Sequence, residues 1–317
     1  MNDKKEPLSA REFKTLIRLC QKVVWSAPEY RKKIQQHGVN IVPANFYSDI
    51  PLIDDITDSF EYRDGASEVY NYNNLFDEEL IGGFIEKIAQ YSCEFNPPNS
   101  GSKENPEGFY WENSAFSYSD AMSYYCVVRY FKPDHILEIG SGYSTFVADM
   151  ALKKNGTGKL TLIEPYPMSF LKELETVEAI IESKIQDIPI KKAVDLIESC
   201  DIWFIDSTHT VKIGSDCLYM YLILMPEVKK DLIVHTHDIF LPYGFPKNKA
   251  LSIQAYWTEQ YLLYSYMLDN PKIQMLFGSS YAKTALPDKM DLLMDGKYPG
   301  GGGSIWYELN GFTEGDR

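Results

Sequence analysis

Short apolar runs alternate with longer amphipathic stretches along the second half of the chain. The runs predict strands at 136–140, 159–164, 201–206, 231–238, 272–278 and 304–309, with a weaker strand that ends at 186–187. The stretches between them predict helices at about 117–131, 144–154, 167–177, 190–198, 213–225 and 249–268. This alternation predicts a doubly wound α/β fold, in which helices cover both faces of a mostly parallel sheet.

The chain before this region follows a different pattern, with helical, irregular and again helical segments at 1–40, 41–75 and 76–91. A run rich in proline, asparagine and glycine follows at 96–106 and marks the strongest break in the pattern. We therefore expect a mainly helical accessory or cap region at 1–105 and the α/β domain at 106–317.

Composition narrows the class of protein. The chain has 317 residues, a formal net charge of −14 and five cysteines. No cysteines form a CxxC pair, which argues against a zinc ribbon. The sequence also lacks the stripe of basic residues that is typical of nucleic-acid-binding proteins, so we expect no nucleic-acid partner. No apolar run approaches the roughly 20 residues that cross a bilayer. The N-terminal residues lack the apolar segment of a signal peptide, so we expect a cytoplasmic protein.

A tight glycine turn follows the first predicted strand of the α/β region, in the segment Glu138-Ile-Gly140-Ser-Gly142. The next strand ends in Glu164. Glycines let a backbone approach a nucleotide closely, and an acid at the end of the second strand can accept hydrogen bonds from ribose hydroxyls. Thr145 stands where a dinucleotide fingerprint has its third glycine, which disfavours a nicotinamide enzyme.

Several acids lie at or near predicted strand ends, and this favours a cationic ligand over a pyrophosphate, which binds to free amides at a helix start. The arrangement resembles class I S-adenosylmethionine-dependent methyltransferases over residues 110–310, with the acid–Gly-x-Gly motif in its expected place. The resemblance implies a seven-stranded Rossmann-like sheet and S-adenosylmethionine as cofactor. It implies cofactor contacts from Glu138, Gly140, Gly142, Ser144, Glu164, Asp187 and Asp206.

A second motif, Asp206-Ser-Thr-His209, follows the fourth predicted strand, and the fifth ends in His237-Asp238. These segments resemble those of bacterial methyltransferases that act on sugar and macrolide hydroxyls. The resemblance implies that His209 is a general base and that Asp206 and Asp238 orient the acceptor or hold Mg²⁺. The alternative is that these strand-end side chains cap a helix or support a loop.

Candidate acceptor-binding residues flank these motifs. Tyr118 and Asp120 lie in an aromatic, polar segment similar to one in polysaccharide-associated methyltransferases, and a capped helix start explains it equally well. His237 and Tyr243 follow or end the fifth strand, where a loop can line the acceptor site. His235 and His237 share one face of that strand and allow a metal pair, but further histidines at ligand spacing are lacking.

The sequence thus predicts methyl transfer from S-adenosylmethionine to an oxygen of a small-molecule or saccharide acceptor. Two alternatives stay open: a nicotinamide-dependent oxidoreductase and a non-catalytic cofactor-binding scaffold. The sequence leaves four points undecided: the identity of the acceptor, the choice between O-, N- and C-methylation, the need for Mg²⁺ and a homo-oligomeric state.

Overall fold

The computed structural model describes residues 7–63, 65, 68–72, 75–103, 106–116 and 118–311. The chain divides into two compact units between Ser59 and Phe60. The predicted boundary after residue 105 does not coincide with this division, and residues 104 and 105 lie outside the described residues. The division falls earlier because the helix over Glu78–Ala89 buries its apolar face inside the second unit.

The first unit is helical, with α1 (Ala10–Val23), α2 (Pro28–Gln35) and α3 (Ile53–Thr57). Ser9 starts α1 with a capping box, since its side chain accepts from the Glu12 amide while the Glu12 carboxylate accepts from the Ser9 amide. The helical pattern predicted for residues 1–40 is therefore confirmed for the described part of that range. A role of this region as a cap over a site stays a prediction.

The second unit contains one seven-stranded sheet in the order β3-β2-β1-β4-β5-β7-β6. Strands β1 to β5 are mutually parallel, whereas β7 runs antiparallel to both β5 and β6. The strands are β1 (His135–Ile139), β2 (Lys159–Ile163), β3 (Val177–Ile181), β4 (Ile202–Ile205), β5 (Leu232–Thr236), β6 (Ile273–Gly278) and β7 (Ile305–Leu309). The doubly wound α/β prediction is confirmed.

Helices cover the sheet and bury a continuous apolar core against it. They are α4 (Glu78–Ala89), α5 (Tyr118–Phe131), α6 (Tyr143–Asn155), α7 (Ile190–Glu198), α8 (Asp216–Tyr219), α9 (Lys247–Ser252), α10 (Glu259–Met267), α11 (Ser279–Ala285) and α12 (Pro287–Met294). The core strands are almost fully buried. Among the described residues, none of the helices has the length and apolar character to cross a bilayer.

Two predicted helices differ from the structure. The helix predicted at 167–177 is wrong: a short 3-10 turn occupies Ser169–Glu173, and β3 begins at Val177, earlier than predicted. The helical stretch is short because the chain enters β3 at Val177, where its residues pair with β2.

The helix predicted at 249–268 is two helices, α9 and α10, with an irregular segment between them. The amides of Thr258 and Glu259 donate to the carbonyl oxygen of His209, so a tertiary contact interrupts the helical pattern there. Helices α11 and α12 were not predicted. Their apolar residues pack on α4 and α5, and the proline at the start of α12 separates the two.

Candidate active site

The glycine turn after β1 brings three strand ends together. Gly140 has φ of +81°, a left-handed conformation that favours glycine, and a Cβ there would overlap the carbonyl oxygen of Asp206. Its amide donates to Ile163 at the end of β2 (3.0 Å), and the Asp206 amide donates to Ile139 (2.8 Å). The turn therefore fixes the ends of β1, β2 and β4 at one edge of the sheet.

Glu138 supports this turn from inside the protein. Its fully buried carboxylate accepts from the Tyr124 hydroxyl at 2.8 Å and from the Thr145 hydroxyl at 2.6 Å. The Thr145 oxygen in turn accepts from the Gly142 amide at 3.1 Å. Burial raises the pKa of Glu138 to about 7, although both hydroxyls lower it. Glu138 thus holds the loop in place. Thr145, which stands where a dinucleotide fingerprint has its third glycine, holds the same loop.

A crevice of about 460 Å³ opens beside the turn, within the size range of small-ligand sites. Its walls include Gly140 of the turn, Glu164 after β2 and Asp206 after β4. The Glu164 carboxylate accepts from the Ser141 amide at 3.3 Å and from the Tyr166 amide at 2.7 Å, which orients it over the turn. Further lining residues are Ile139, Ile163, Pro165, Tyr166, Ser183, Lys184, Ile185, Gln186, Ser207, Thr208, Lys212, Gly214, Ser215 and Asp216.

Four residues predicted to contact the cofactor lie outside this lining: the fully buried Glu138, described above, and three others. Asp187 is exposed at the end of a 3-10 turn, and Gln186 forms the crevice wall in its place. Ser144 is buried in the first turn of α6. The Gly142 amide is already bonded to Thr145. None of these three residues is among the crevice walls, a placement that sequence spacing does not reveal.

Beyond Asp206, four side chains form a carboxylate–histidine cluster, composed of Asp206, His209, His237 and Asp238. The two oxygens of Asp206 lie 3.2 Å from His209 Nε2 and 3.3 Å from His237 Nδ1. One oxygen of Asp238 lies 3.8 Å and 3.9 Å from the same two nitrogens. His209 and Asp238 both have positive φ, +58° and +54°, and such strained conformations often mark functional sites.

Charge within the cluster sets its protonation. Burial opposes a charge on His209, yet hydrogen bonds to Asp206 and Glu259 outweigh it and raise the pKa of His209 to about 10. Asp206 and Asp238 raise the pKa of the buried His237 against the same burial cost. Burial would raise the pKa of Asp206, but the two imidazoles lower it well below its usual range. At neutral pH the cluster therefore contains two imidazolium groups that share one carboxylate.

Glu259 holds His209 from the side opposite Asp206. Its buried carboxylate lies 2.8 Å from His209 Nδ1 and accepts from the Tyr221 hydroxyl at 2.7 Å. The Trp257 ring packs against the imidazole, with centroids 4.7 Å apart. The sequence does not reveal either residue, because both lie some fifty positions from His209 in a stretch whose pattern predicts one continuous helix.

Asp120 plays a similar part for His237. Its carboxylate lies 3.4 Å from His237 Nε2 and accepts from the amides of Gly303 and Ser304 at 3.1 Å and 2.9 Å. A Cβ at Gly302 would overlap this carboxylate, so the run of glycines before β7 is what lets the backbone wrap around it. Asp120 is buried, which places it behind His237 and leaves it no direct access to an acceptor.

The remaining predicted acceptor residues point elsewhere. Tyr118 is exposed and its ring packs on Tyr298, with centroids 5.9 Å apart. The Tyr243 side chain lies beside Thr284 of α11, and burial raises its pKa. Both residues lie close to a motif along the chain, but the direction of a side chain at the start of a helix or in a loop depends on local backbone geometry.

The side chains at the predicted metal site do not fit Mg²⁺. Mg²⁺ needs near-octahedral oxygen ligands, but Lys249 Nζ lies 2.8 Å from Asp238 Oδ1 and both oxygens of Asp206 face imidazoles. Within the described part of the chain, no group of three or more His, Cys, Asp or Glu is placed to hold a metal ion. His235 pairs instead with the Ser304 hydroxyl at 2.8 Å, which agrees with its assignment as a buried strand residue.

Residues 137–239 match a family model described as a methyltransferase domain, and they contain the glycine turn, Glu164 and the carboxylate–histidine cluster. The sheet order, with an antiparallel β7 between β5 and β6, is that of the Rossmann-like methyltransferase fold. Residues 137–239 are thus similar to a methyltransferase domain, and they lie in a sheet of the Rossmann-like methyltransferase fold. The crevice of this methyltransferase domain lies at the carboxyl ends of β1, β2 and β4, where doubly wound sheets bind their ligands.

The methyltransferase domain has relatives of low identity. A protein of Archaeoglobus fulgidus, described as uncharacterized, is 29% identical over 162 residues, which cover 47% of this chain and 70% of that protein. The O-methyltransferase TomG from Streptomyces achromogenes, solved with S-adenosylmethionine, is 14% identical, with 74% of this chain and 91% of that chain covered and a TM-score of 0.36. An O-methyltransferase from Bacillus cereus, solved with S-adenosylhomocysteine, is 12% identical, with 72% and 91% covered and a TM-score of 0.35.

Proposed function

We propose that this domain transfers the methyl group of S-adenosylmethionine to an oxygen of a small-molecule or saccharide acceptor. The observation that carries the proposal is the position of Asp206, which lines the crevice with one part of its surface and pairs with His209 and His237 with its carboxylate. The crevice and the proton-binding side chains therefore meet at one residue. Methyl transfer from a cofactor to a hydroxyl requires that the cofactor site and the proton-accepting groups be adjacent in this way.

The crevice suits the cofactor chemically. Glu164 is oriented over the glycine turn by two amides and retains lone pairs that can accept from ribose hydroxyls. Gln186 takes the place at the far wall that the sequence assigned to Asp187. When bound, S-adenosylmethionine supplies an electrophilic methyl carbon: the acceptor oxygen bonds to it as the C–S bond breaks, and the electron pair stays on sulfur.

In this proposal, His209 takes the proton of the acceptor hydroxyl. Its Nε2 faces the shared carboxylate of Asp206, whereas its Nδ1 is fixed by Glu259. The imidazole holds a proton at rest and must first release it. A second cation beside Asp206 would favour that release, because two positive charges then compete for one carboxylate. A positioned base contributes about 10²–10⁴-fold to rate, and alignment contributes about 7–11 kcal/mol.

Aromatic side chains next to the cluster support a ring-shaped acceptor. Trp257 packs on His209, and Phe245 packs on Trp257 with centroids 5.7 Å apart. Phe240 packs on Phe245 in turn. Trp257 is only partly buried and offers an apolar surface beside the proposed base. Sugar rings and aromatic rings pack well against such a surface.

The decisive experiment replaces His209 and measures cofactor affinity and turnover separately. Asparagine tolerates the positive φ of position 209, so His209→Asn is the chosen substitution. We expect this variant to bind S-adenosylhomocysteine with wild-type affinity in calorimetry. Formation of S-adenosylhomocysteine from S-adenosylmethionine, with a panel of sugars and phenols as acceptors, should fall about 10²–10⁴-fold. His37→Ala, at an exposed histidine, is the matched control.

Three outcomes would contradict the proposal. Equal losses of cofactor affinity and turnover would assign His209 to cofactor binding. Cofactor binding without product under every acceptor would favour a non-catalytic scaffold. Saturable quenching by NADH, with no affinity for S-adenosylhomocysteine, would favour an oxidoreductase.

A further inference from the structure

Lys249 brings a fixed positive charge to the carboxylate–histidine cluster. Its Nζ lies 2.8 Å from Asp238 Oδ1. The same ammonium lies 4.7 Å from the ring centroid of Phe240 and 5.1 Å from that of Trp257, so two aromatic faces hold it as cation–π partners. The side chain remains about one-third exposed, at 32%. The ammonium is therefore both fixed in place and open to a ligand.

The cation beside Asp238 is Lys249 itself. Four carboxylates, those of Asp120, Asp206, Asp238 and Glu259, face His209, His237 and Lys249. Both oxygens of Asp206 face imidazoles, and an ammonium already lies where a divalent ion would bind to Asp238 Oδ1. A divalent ion and the ammonium at the same carboxylate would repel each other.

We propose that the Lys249 ammonium occupies the cation position beside Asp238 and takes the place of a divalent metal ion at the acceptor oxygen. The inference rests on the proposed methyl transfer. As the acceptor oxygen bonds to the methyl carbon, its proton passes to neutral His209, which becomes an imidazolium. The partial negative charge on the oxygen then faces Lys249 and needs no metal ion for its stabilisation.

The test uses Mn²⁺, whose electron paramagnetic resonance signal separates free from bound ion. We expect wild-type protein to leave Mn²⁺ free, because an ammonium already neutralises Asp238. Lys249→Met frees that carboxylate beside Asp206, and we expect Mn²⁺ to bind about a hundredfold more tightly than in wild type, the order expected when one unit charge at ion-pair distance is removed. Lys247→Met is the matched control, since Lys247 lies on the same helix over the Tyr62 ring.

A second variant checks where the ion binds. Adding Asp238→Asn to Lys249→Met should abolish the acquired Mn²⁺ binding. The affinity of each variant for S-adenosylhomocysteine, measured by calorimetry, reports whether the crevice is still folded.

Either of two results overturns the inference: wild-type protein that binds Mn²⁺ as tightly as Lys249→Met, or a folded Lys249→Met protein that binds none. Both leave the methyltransferase proposal intact. Conversely, a wild-type protein that binds neither S-adenosylhomocysteine nor Mn²⁺ would defeat the proposed function, while the Mn²⁺ comparison would still answer the question about Lys249.

Discussion

The two halves of the candidate site are built in different ways. The cofactor half consists of the glycine turn and Glu164, which lie within one strand–helix–strand segment and are held by backbone hydrogen bonds. The catalytic half joins residues from α5, β4, β5, α9 and α10, and charged side chains hold it together. A local motif can specify the first half, whereas only the folded chain assembles the second.

This difference predicts how each half fails. In the cofactor half, close contact between backbone segments is the constraint, so added volume should disrupt it. In the catalytic half, the constraint is the balance between carboxylates and cations, so changes of charge should alter pH dependence before they alter the fold.

The largest effect is expected from Gly140→Ala. The new methyl group would overlap the Asp206 carbonyl oxygen at a position that also has positive φ, so either the ends of β1 and β4 separate or the residue adopts another conformation. We expect the free energy of unfolding to fall by at least about 3 kcal/mol, with loss of S-adenosylhomocysteine binding. Urea denaturation and calorimetry measure the two quantities.

Gly142→Ala is the control for this prediction, because no atom lies within 4 Å of a Cβ built there. Similar losses in the two variants would mean that the close approach of Gly140 to Asp206 is not the constraint. In that case the cofactor half would be as adaptable as an ordinary loop.

Glu259→Gln should alter how folding stability and turnover depend on pH. Asp206 and Glu259 raise the pKa of folded His209 to about 10 from 6.5, so its protonation stabilises the fold fully below about pH 6.5. That contribution is lost as pH rises through about 10, whereas turnover, which needs neutral His209, should rise over the same range. Removing the charge of Glu259 should lower the pKa of His209 by about one to three pH units. The pH profiles of stability and of turnover should both shift to lower pH.

A histidine NMR titration, assigned with His209→Asn, measures this pKa directly. Tyr221→Phe is the matched control, because it removes a hydrogen bond from Glu259 but leaves the charge. If His209 in the wild-type protein titrates near 6.5, or if Glu259→Gln leaves its titration unchanged, the two carboxylates do not control the base.

A smaller effect is expected from Glu164→Ala. Loss of a carboxylate that accepts charge-assisted hydrogen bonds should weaken S-adenosylhomocysteine binding about 10- to 100-fold by calorimetry. Asp187→Ala should have little effect, since that side chain is exposed outside the crevice lining. A larger loss for Asp187→Ala than for Glu164→Ala would restore the role that the sequence assigned to Asp187.

The fold followed from sequence where secondary structure depends on local pattern. Six of the seven strands lie where the apolar runs predicted them, because buried strands form continuous apolar runs. The weak strand predicted to end at 186–187 is wrong: β3 lies at Val177–Ile181 and a 3-10 turn occupies Ile185–Asp187. The helical pattern failed at 167–177, where the chain enters β3, and at 249–268, where hydrogen bonds to His209 break a helix in two. The second failure hid Glu259, since the break places this residue at the start of α10.

The sequence by itself determined most strands and the helices between them, the glycine turn and the acids at the strand ends, because each depends on neighbours within a few residues. Tertiary structure alone decided that Glu259 and Asp120 hold the two histidines and that Lys249 neutralises Asp238. The physical reason is that electrostatic interactions depend on distance in space. Side chains more than a hundred positions apart, such as Asp120 and His237, leave no mark of their pairing along the chain.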